Sequence, residues 1–318
     1  YEAQIRDLVR TEIEAFADEI TVDALGNLIV RKTASSGSEG KKIMIAGHMD
    51  EIGVIVTHID DSGFVRFSNL GGVFPRYVPG GRVRFLDGTL GVIGTEWVTD
   101  AYKVPPLDKM FIDVGATNKK ECPIRVGDVA VFDRPFSTLG NRLVSKALDD
   151  RIAVAVMVET LRQLKKSSHD LYFVFTVQEE VGVRGATTAA FGINPDLGLA
   201  VDVTLSGDTP KGVRMDVALG KGPAIKVKDS GMLADPRVVN WMVEISQKEK
   251  IPYQLEVLER GGTDARAIQL TRAGVPAGCL SIPCRYVHSP SEMVDLGDVQ
   301  NAVKLLVALL SNSISLDR

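Results

Sequence analysis

In this chain of 318 residues, the side chains best suited to chemistry stand at or just beyond apolar runs. His48 follows Ile43–Ala46 in Gly47-His48-Met49-Asp50-Glu51, and Asp149 and Asp150 lie where Leu143–Ala147 leads into a helical stretch. Glu179 and Glu180 end the run Leu171–Val177, Asp202 ends Leu197–Val201, and His288 lies in the loop Pro283–Pro290. Singly, each has a plain explanation: a core histidine, helix caps, strand-end acids, a surface loop. Together, two His, two Asp and one Glu form a set of N and O ligands suited to Zn, Co or Mn, with no thiolate to select a softer metal. Such a set can hold two ions if one carboxylate bridges them. Ions roughly 3.5–4 Å apart acidify a shared water and polarise a carbonyl or phosphoryl group. Glu179, beside Glu180, is free to take that water's proton, and Asp50 is spaced to hold the second nitrogen of His48.

The elements needed to bring these residues together are legible in outline. Leu171–Val177 is apolar and rich in aromatic and β-branched residues, the pattern of a strand buried on both faces of a parallel sheet. Ligands of open α/β sheets bind beyond the carboxyl ends of such strands. Adjacent residues of a strand face opposite ways, so Glu179 and Glu180 act together only if Gln178–Gly182 leaves β geometry abruptly. Tyr1–Ile20 has the spacing of an amphipathic helix, and Ile20–Val22 with Leu28–Arg31 forms a hairpin around Gly26. Thr33–Lys42, Leu70–Gly81 and Trp97–Pro106 read as loops. Between Val54 and Asn141, short alternating runs separated by glycine turns predict a small all-β barrel or sandwich (Val54–Ile59, Phe64–Phe67, Arg82–Phe85, Thr89–Gly94, Phe111–Val114, Asp128–Phe132). Helices are predicted over Ile152–Leu164, Asp235–Lys250, from Gly261-Gly262-Thr263-Asp264 through Leu270, and over Leu296–Leu310. Further strands are expected at Met215–Gly222, Ala224–Lys228, Tyr253–Leu258 and Ala277–Ile282. The chain thus reads as an α/β domain, 1–55 and 143–318, interrupted by a β-rich insertion, 56–142.

Composition narrows the field. A net charge of −4 and a pI near 5.7 leave no basic footprint for nucleic acid or an anionic membrane. No apolar run approaches the ~20 residues of a bilayer span, and no basic-then-apolar leader is present. Three cysteines without CxxC spacing, Cys122, Cys279 and Cys284, suit reduced thiols in a cytoplasm.

The motifs GHMDEIG (47–53), SKALDDRIA (145–153), VQEEVGVRGA (177–186), VDVT (201–204), GGTDA (261–265) and SIPCRYVHSPSEM (281–293) occur in an order that closely resembles the TET-type dinuclear metalloaminopeptidases of the zinc-exopeptidase clan. That group includes glutamyl and deblocking aminopeptidases. The resemblance spans almost the whole chain. It implies an α/β/α sandwich with an inserted PDZ-like dimerisation domain and a cofactor of two divalent ions, Zn or Co. It further implies His48, Asp149 (bridging, ahead of a cis peptide), Glu180, Asp202 and His288 as ligands, with Glu179 as general base and Asp50 as partner of His48. Peptides are the implied substrates, with Gly262, Thr263 and Asp264 beside them, and self-association into a tetrahedral dodecamer is the implied assembly. Members usually carry a further short helix before the Tyr-Glu with which this sequence opens, and a longer loop at Gly94–Pro106. They also usually have a small residue where Arg266 stands. Two other readings compete: a glycoside hydrolase using Glu179 and Glu180, and a non-catalytic scaffold whose β module binds peptides by strand addition.

Overall fold

The computed structural model describes residues 2–35, 40–97, 99–100 and 102–314, so parts of the predicted loops 33–42 and 97–106 lie outside the described residues. In chain order the first elements are α1 (Ala3–Ile13), β1 (Glu19–Val22), β2 (Leu28–Lys32) and β3 (Lys42–His48). Six strands follow: β4 (Gly53–Ile59), β5 (Val65–Leu70), β6 (Arg82–Phe85), β7 (Leu90–Thr95), β8 (Met110–Asp113) and β9 (Val129–Phe132). Then come β10 (Ser137–Leu139), β11 (Arg142–Ser145), α2 (Leu148–Gln163), β12 (Asp170–Thr176), α3 (Arg184–Ile193) and β13 (Leu197–Leu205). The remainder is β14 (Ala224–Lys228), α4 (Pro236–Lys248), β15 (Gln254–Val257), α5 (Asp264–Gln269), β16 (Ala277–Arg285), β17 (Glu292–Asp295) and α6 (Leu296–Ser311).

A single eleven-stranded sheet organises the α/β part, with the order β1-β2-β12-β3-β13-β16-β17-β11-β10 and β14–β15 branching from β16. Its centre, β12-β3-β13-β16, is parallel throughout. These strands are apolar because both faces are covered: Ile43, Ile45, Phe173, Phe175, Leu199 and Val201 pack in the larger core with α2 and α6, while Met44, Ala46 and Val174 face α3 and α5. The register sets Thr176 opposite His48 and Asp202 opposite Ser281 on neighbouring strands. Chain direction therefore delivers the carboxyl ends of β12, β3, β13 and β16 to one edge. The α/β sandwich with a β-rich insertion is what the structure shows.

Strands β4 to β9 close on themselves in the order β4-β5-β8-β7-β6-β9. Their inward alternation buries Val54, Val56, Val65, Val83, Ile93 and Ile112 in a core of their own. Closure gives every barrel strand a neighbour on each side, with β5 meeting β8 at one pair, Val65 with Ile112.

Three expectations need correction. The amphipathic helix stops at Ile13, a 3₁₀ turn covers Glu14–Phe16, and Glu19 already belongs to β1, whose pairing with β2 outweighs the helical spacing. Met215–Gly222 forms no strand. Its backbone is held by side chains instead, with Ala218 N–H donating to Gln254 Oε1 and Leu219 N–H to Asp208 Oδ2. Asp202 does not end its strand, because β13 runs on to Leu205 in register with β16 as far as Cys284.

Candidate metal and catalytic centre

His48 is the last residue of β3, and its imidazole is buried between carboxylates. Nε2 lies 3.1 Å from Asp149 Oδ1 and 3.9 Å from Glu179 Oε2, while Nδ1 faces Asp50 Oδ1 at 3.5 Å. Burial alone would lower the His48 pKa, but Asp149 and Asp50 carry it well above the usual histidine range. His288 arrives from the loop after β16 with its backbone in the left-handed region, φ 61°. Its Nε2 sits 3.3 Å from both Asp149 Oδ2 and Glu180 Oε2. Against the effect of burial, Asp149 and Glu180 push the His288 pKa up to about 11. Asp149 is thus touched by one imidazole on each of its two oxygens. Asp149 and Asp150 keep non-helical angles at the head of α2, with a cis peptide between them.

The strand carrying the glutamates ends sharply. Gln178 takes φ 57°, Gly182 φ 126° and Val183 φ 56°, so the backbone reverses directly after β12. Asp50 accepts hydrogen bonds from Glu179 N–H at 3.0 Å and Glu180 N–H at 3.1 Å, which fixes both residues on one side of the turn. Asn27, fully buried in the β1–β2 hairpin, bridges the ends of this turn. Its Oδ1 accepts from Val177 N–H at 3.0 Å and its Nδ2 donates to Gly185 O at 2.9 Å. A Cβ on Gly185 would collide with Val177 O and Asn27 Oδ1, so the close approach requires glycine.

Burial pushes the pKa of Glu179 well up, with Asp202 and Asp264 adding to it and His48 opposing. Glu180 is raised by burial and Asp149, Asp202 well up by burial and Asp149, and Asp150 well up by burial and Asp202. Asp264, also buried, is pushed up to about 6 although its Oδ2 accepts from Thr176 Oγ1 at 2.5 Å. So many carboxylates facing two imidazoles leave an excess of negative charge that cations would relieve. Several buried carboxylate oxygens in the cluster also lack any hydrogen-bond partner among the described residues: Glu180 Oε1, Asp150 Oδ1 and Asp264 Oδ1. Two groups have ligand atoms close enough for one ion, His48–Asp149–Glu180 and His48–Asp150–Asp202. The donor set and its unpartnered atoms fit divalent metal ions.

Of the residues expected beside substrate, Thr263 is the buried N-cap of α5, accepting from Ala265 N–H at 3.3 Å, and Gly262 is exposed next to it. Sequence reasoning missed Glu292. Buried at the start of β17, it accepts from Asp149 N–H at 2.9 Å and His288 N–H at 2.8 Å, and burial beside Asp149 pushes it up to about 8. It also missed Gly72, on the barrel segment after β5, where a Cβ would run into the His288 ring, and Phe74, whose ring centroid lies 6.1 Å from that ring. Beyond Asp202, the fully buried Lys226–Glu256 pair, joined by Thr204 Oγ1 donating to Glu256 Oε1 at 2.6 Å, ties β13, β14 and β15 together. The Glu in SPSEM was quotable from sequence as part of a motif, but nothing in its spacing revealed two backbone N–H groups converging on it.

Residues 26–305 match the family model described as M42 glutamyl aminopeptidase. A lysyl aminopeptidase of Pyrococcus furiosus is 38% identical over 96% of this chain and 90% of its own. Aminopeptidase APDkam598 of the archaeon Desulfurococcus kamchatkensis superposes with a TM-score of 0.94 at 47% identity, over 98% of this chain and 90% of its own. The Pyrococcus horikoshii TET1 peptidase, which can assemble into a tetrahedron or a large octahedral shell, superposes with a TM-score of 0.87 at 34% identity, over 98% and 95% of the two chains. The chain belongs to the M42 glutamyl aminopeptidase family of peptide hydrolases.

Proposed function

We propose that the protein removes N-terminal residues from peptides at a dinuclear metal centre, with Glu179 as general base. The observation that carries this reading is Asp149, which meets His48 with one carboxylate oxygen and His288 with the other. That is the disposition a bridging ligand needs. His48, Asp149, Glu180, Asp202 and His288 would hold two divalent ions, Zn or Co, with Asp150 supporting the backbone of His48, whose N–H it accepts at 3.1 Å. Bound there, the ions would polarise the scissile carbonyl and lower the pKa of a water.

The chain's own residues supply the rest. Glu179 is buried and proton-avid, and its Oε2 lies 3.9 Å from His48 Nε2. It takes the proton from the attacking water and delivers it to the departing amine. Asp50 holds His48 and both glutamate N–H groups, so one carboxylate sets a ligand and the base together. The substrate's free ammonium is drawn to the surplus of acids. A glycosidic reading fits less well, because Glu179 and Glu180 turn toward one cluster instead of flanking a bond from opposite sides. A strand-adding scaffold fits less well because the barrel is closed. Self-association through the barrel is part of the same proposal.

An aminoacyl-p-nitroanilide series, run before and after exhaustive chelation and after readdition of Zn or Co, tests this reading. Hydrolysis is expected to vanish with the metal and return with it. Turnover that persists in fully demetallated protein overturns the proposal.

A further inference from the structure

Glu292 stands at the first position of β17 and is only 1% exposed. The sheet order places β17 between β16 and β11, antiparallel to both. Ser145, the last residue of β11, lies opposite Glu292, and the chain goes on from there into α2 and Asp149. Arg285, the last residue of β16, lies opposite Met293, and the chain goes on from there to His288. A side chain at the head of β17 is thereby within reach of both segments. Oε2 accepts from Asp149 N–H at 2.9 Å and Oε1 from His288 N–H at 2.8 Å.

Both backbones need such a hold. Asp149 is in the first turn of α2, where N–H groups have no helical acceptor, and its φ −79° and ψ 103° depart from the helix. Tyr286 and His288 keep φ 60° and 61°, a conformation that residues other than glycine hold only where their surroundings fix it. A plain core role does not explain the residue type. A buried carboxylate is costly unless paired, and the basic residues of the adjoining strands are engaged elsewhere: Arg142 with Asp295, Lys146 with Glu51 and Arg285 with Asp208. What the position requires is an acceptor toward each side. A glutamine here would offer one oxygen and turn its NH2 against the other N–H.

We propose that Glu292 is a positioning residue that sets how tightly the centre holds metal, by fixing the backbones of Asp149 and His288 so that the carboxylate of one meets the imidazole of the other. This rests on the dinuclear reading above. His288 Nε2 and Asp149 Oδ2 stand 3.3 Å apart, and both ends of that contact hang from Glu292. His48 and Asp202 are carried by β3 and β13, in the parallel centre of the sheet. The ion on the His288 side therefore depends on Glu292 more than the ion beside Asp202.

The test titrates Co into the full chain after exhaustive chelation, for wild type, Glu292→Gln and Glu292→Asp. Wild type is expected to take up two ions per subunit. In Glu292→Gln one of the two is expected to bind about 10- to 100-fold more weakly, and the visible absorption of the Co-loaded protein to change. Glu292→Asp keeps two acceptors on a shorter stem and is expected to lie between. A structural role alone would lower the thermal midpoint of Glu292→Gln and leave its Co affinity and spectrum as in wild type. That result overturns the proposal. Wild type that takes up no more than one ion marks failure of the dinuclear reading itself, and the inference falls with it. Hydrogen–deuterium exchange on chelated wild type decides the matter if the variants do not fold. The Asp149 and His288 amides are expected to exchange slowly without metal, and exchange as fast as at exposed loop amides overturns the proposal.

Discussion

Glu179 lies 3.9 Å from the nitrogen of His48 that also meets Asp149, in surroundings that favour its protonated form. A base placed so can take a proton without being a ligand. Glu179→Gln keeps its shape and removes that capacity. Turnover is expected to fall about 10²- to 10⁴-fold, with the metal content by atomic absorption close to wild type. Full turnover in this variant would sink the base assignment. At this scale the sequence was informative where a residue type is scarce. With four histidines in the chain, His48 and His288 were visible at once. Glu292 was not, because its work is to accept two backbone N–H groups, and glutamates that do so look like any other glutamate in a sequence.

The parallel centre of the sheet was legible because strands covered on both faces carry unbroken apolar runs, and β12 and β3 both do. The hairpin of β1 and β2 and the six barrel strands were legible from alternation and glycine turns. What did not show was long-range pairing. Nothing local in Val203-Thr204-Leu205 says that β13 continues beyond Asp202, since β16 supplies the partner from about 80 residues away. The segment after β13 is fastened to the end of β16 by Asp208 and Arg285, paired at 2.9 and 2.7 Å through both carboxylate oxygens. The Arg285 guanidinium holds the Asp208 pKa down to about 2. A lowered folded-state pKa stabilises above the ordinary value of about 3.9, and the effect is lost as pH falls through the folded value. Asp208→Asn is therefore expected to lower stability by roughly 1 kcal/mol above pH ~5, a modest figure because solvent screens the pair. The difference in thermal midpoint should close as pH approaches about 2. A gap that stays constant down to pH ~2 would show that the charge of Asp208 is not the stabilising element.

As a whole, the molecule joins two cores, one in the α/β layers and one in the barrel. They meet at the candidate centre, since the barrel sends Gly72 and Phe74 against His288. The barrel also leaves Leu90 and Val92 exposed on β7 and Leu86 exposed just after β6, apolar surface consistent with the proposed self-association. Replacing Leu90 and Val92 with Asp is expected to reduce the particle mass measured by light scattering. An unchanged mass would move the contact elsewhere. No described helix is long and apolar enough to cross a membrane. The Asn27 bridge has a consequence for motion. The amides of Val177, Glu179, Glu180, Gly182, Val183 and Gly185 are all hydrogen-bonded, to the hairpin, to Asp50 or within the turn. Hydrogen–deuterium exchange at these positions should be as slow as in β12, and fast exchange would show that the bridge does not hold in solution. If the turn is that still, the glutamates cannot travel to meet a substrate. On the function proposed above, the rigid part of the enzyme is then the part that reacts.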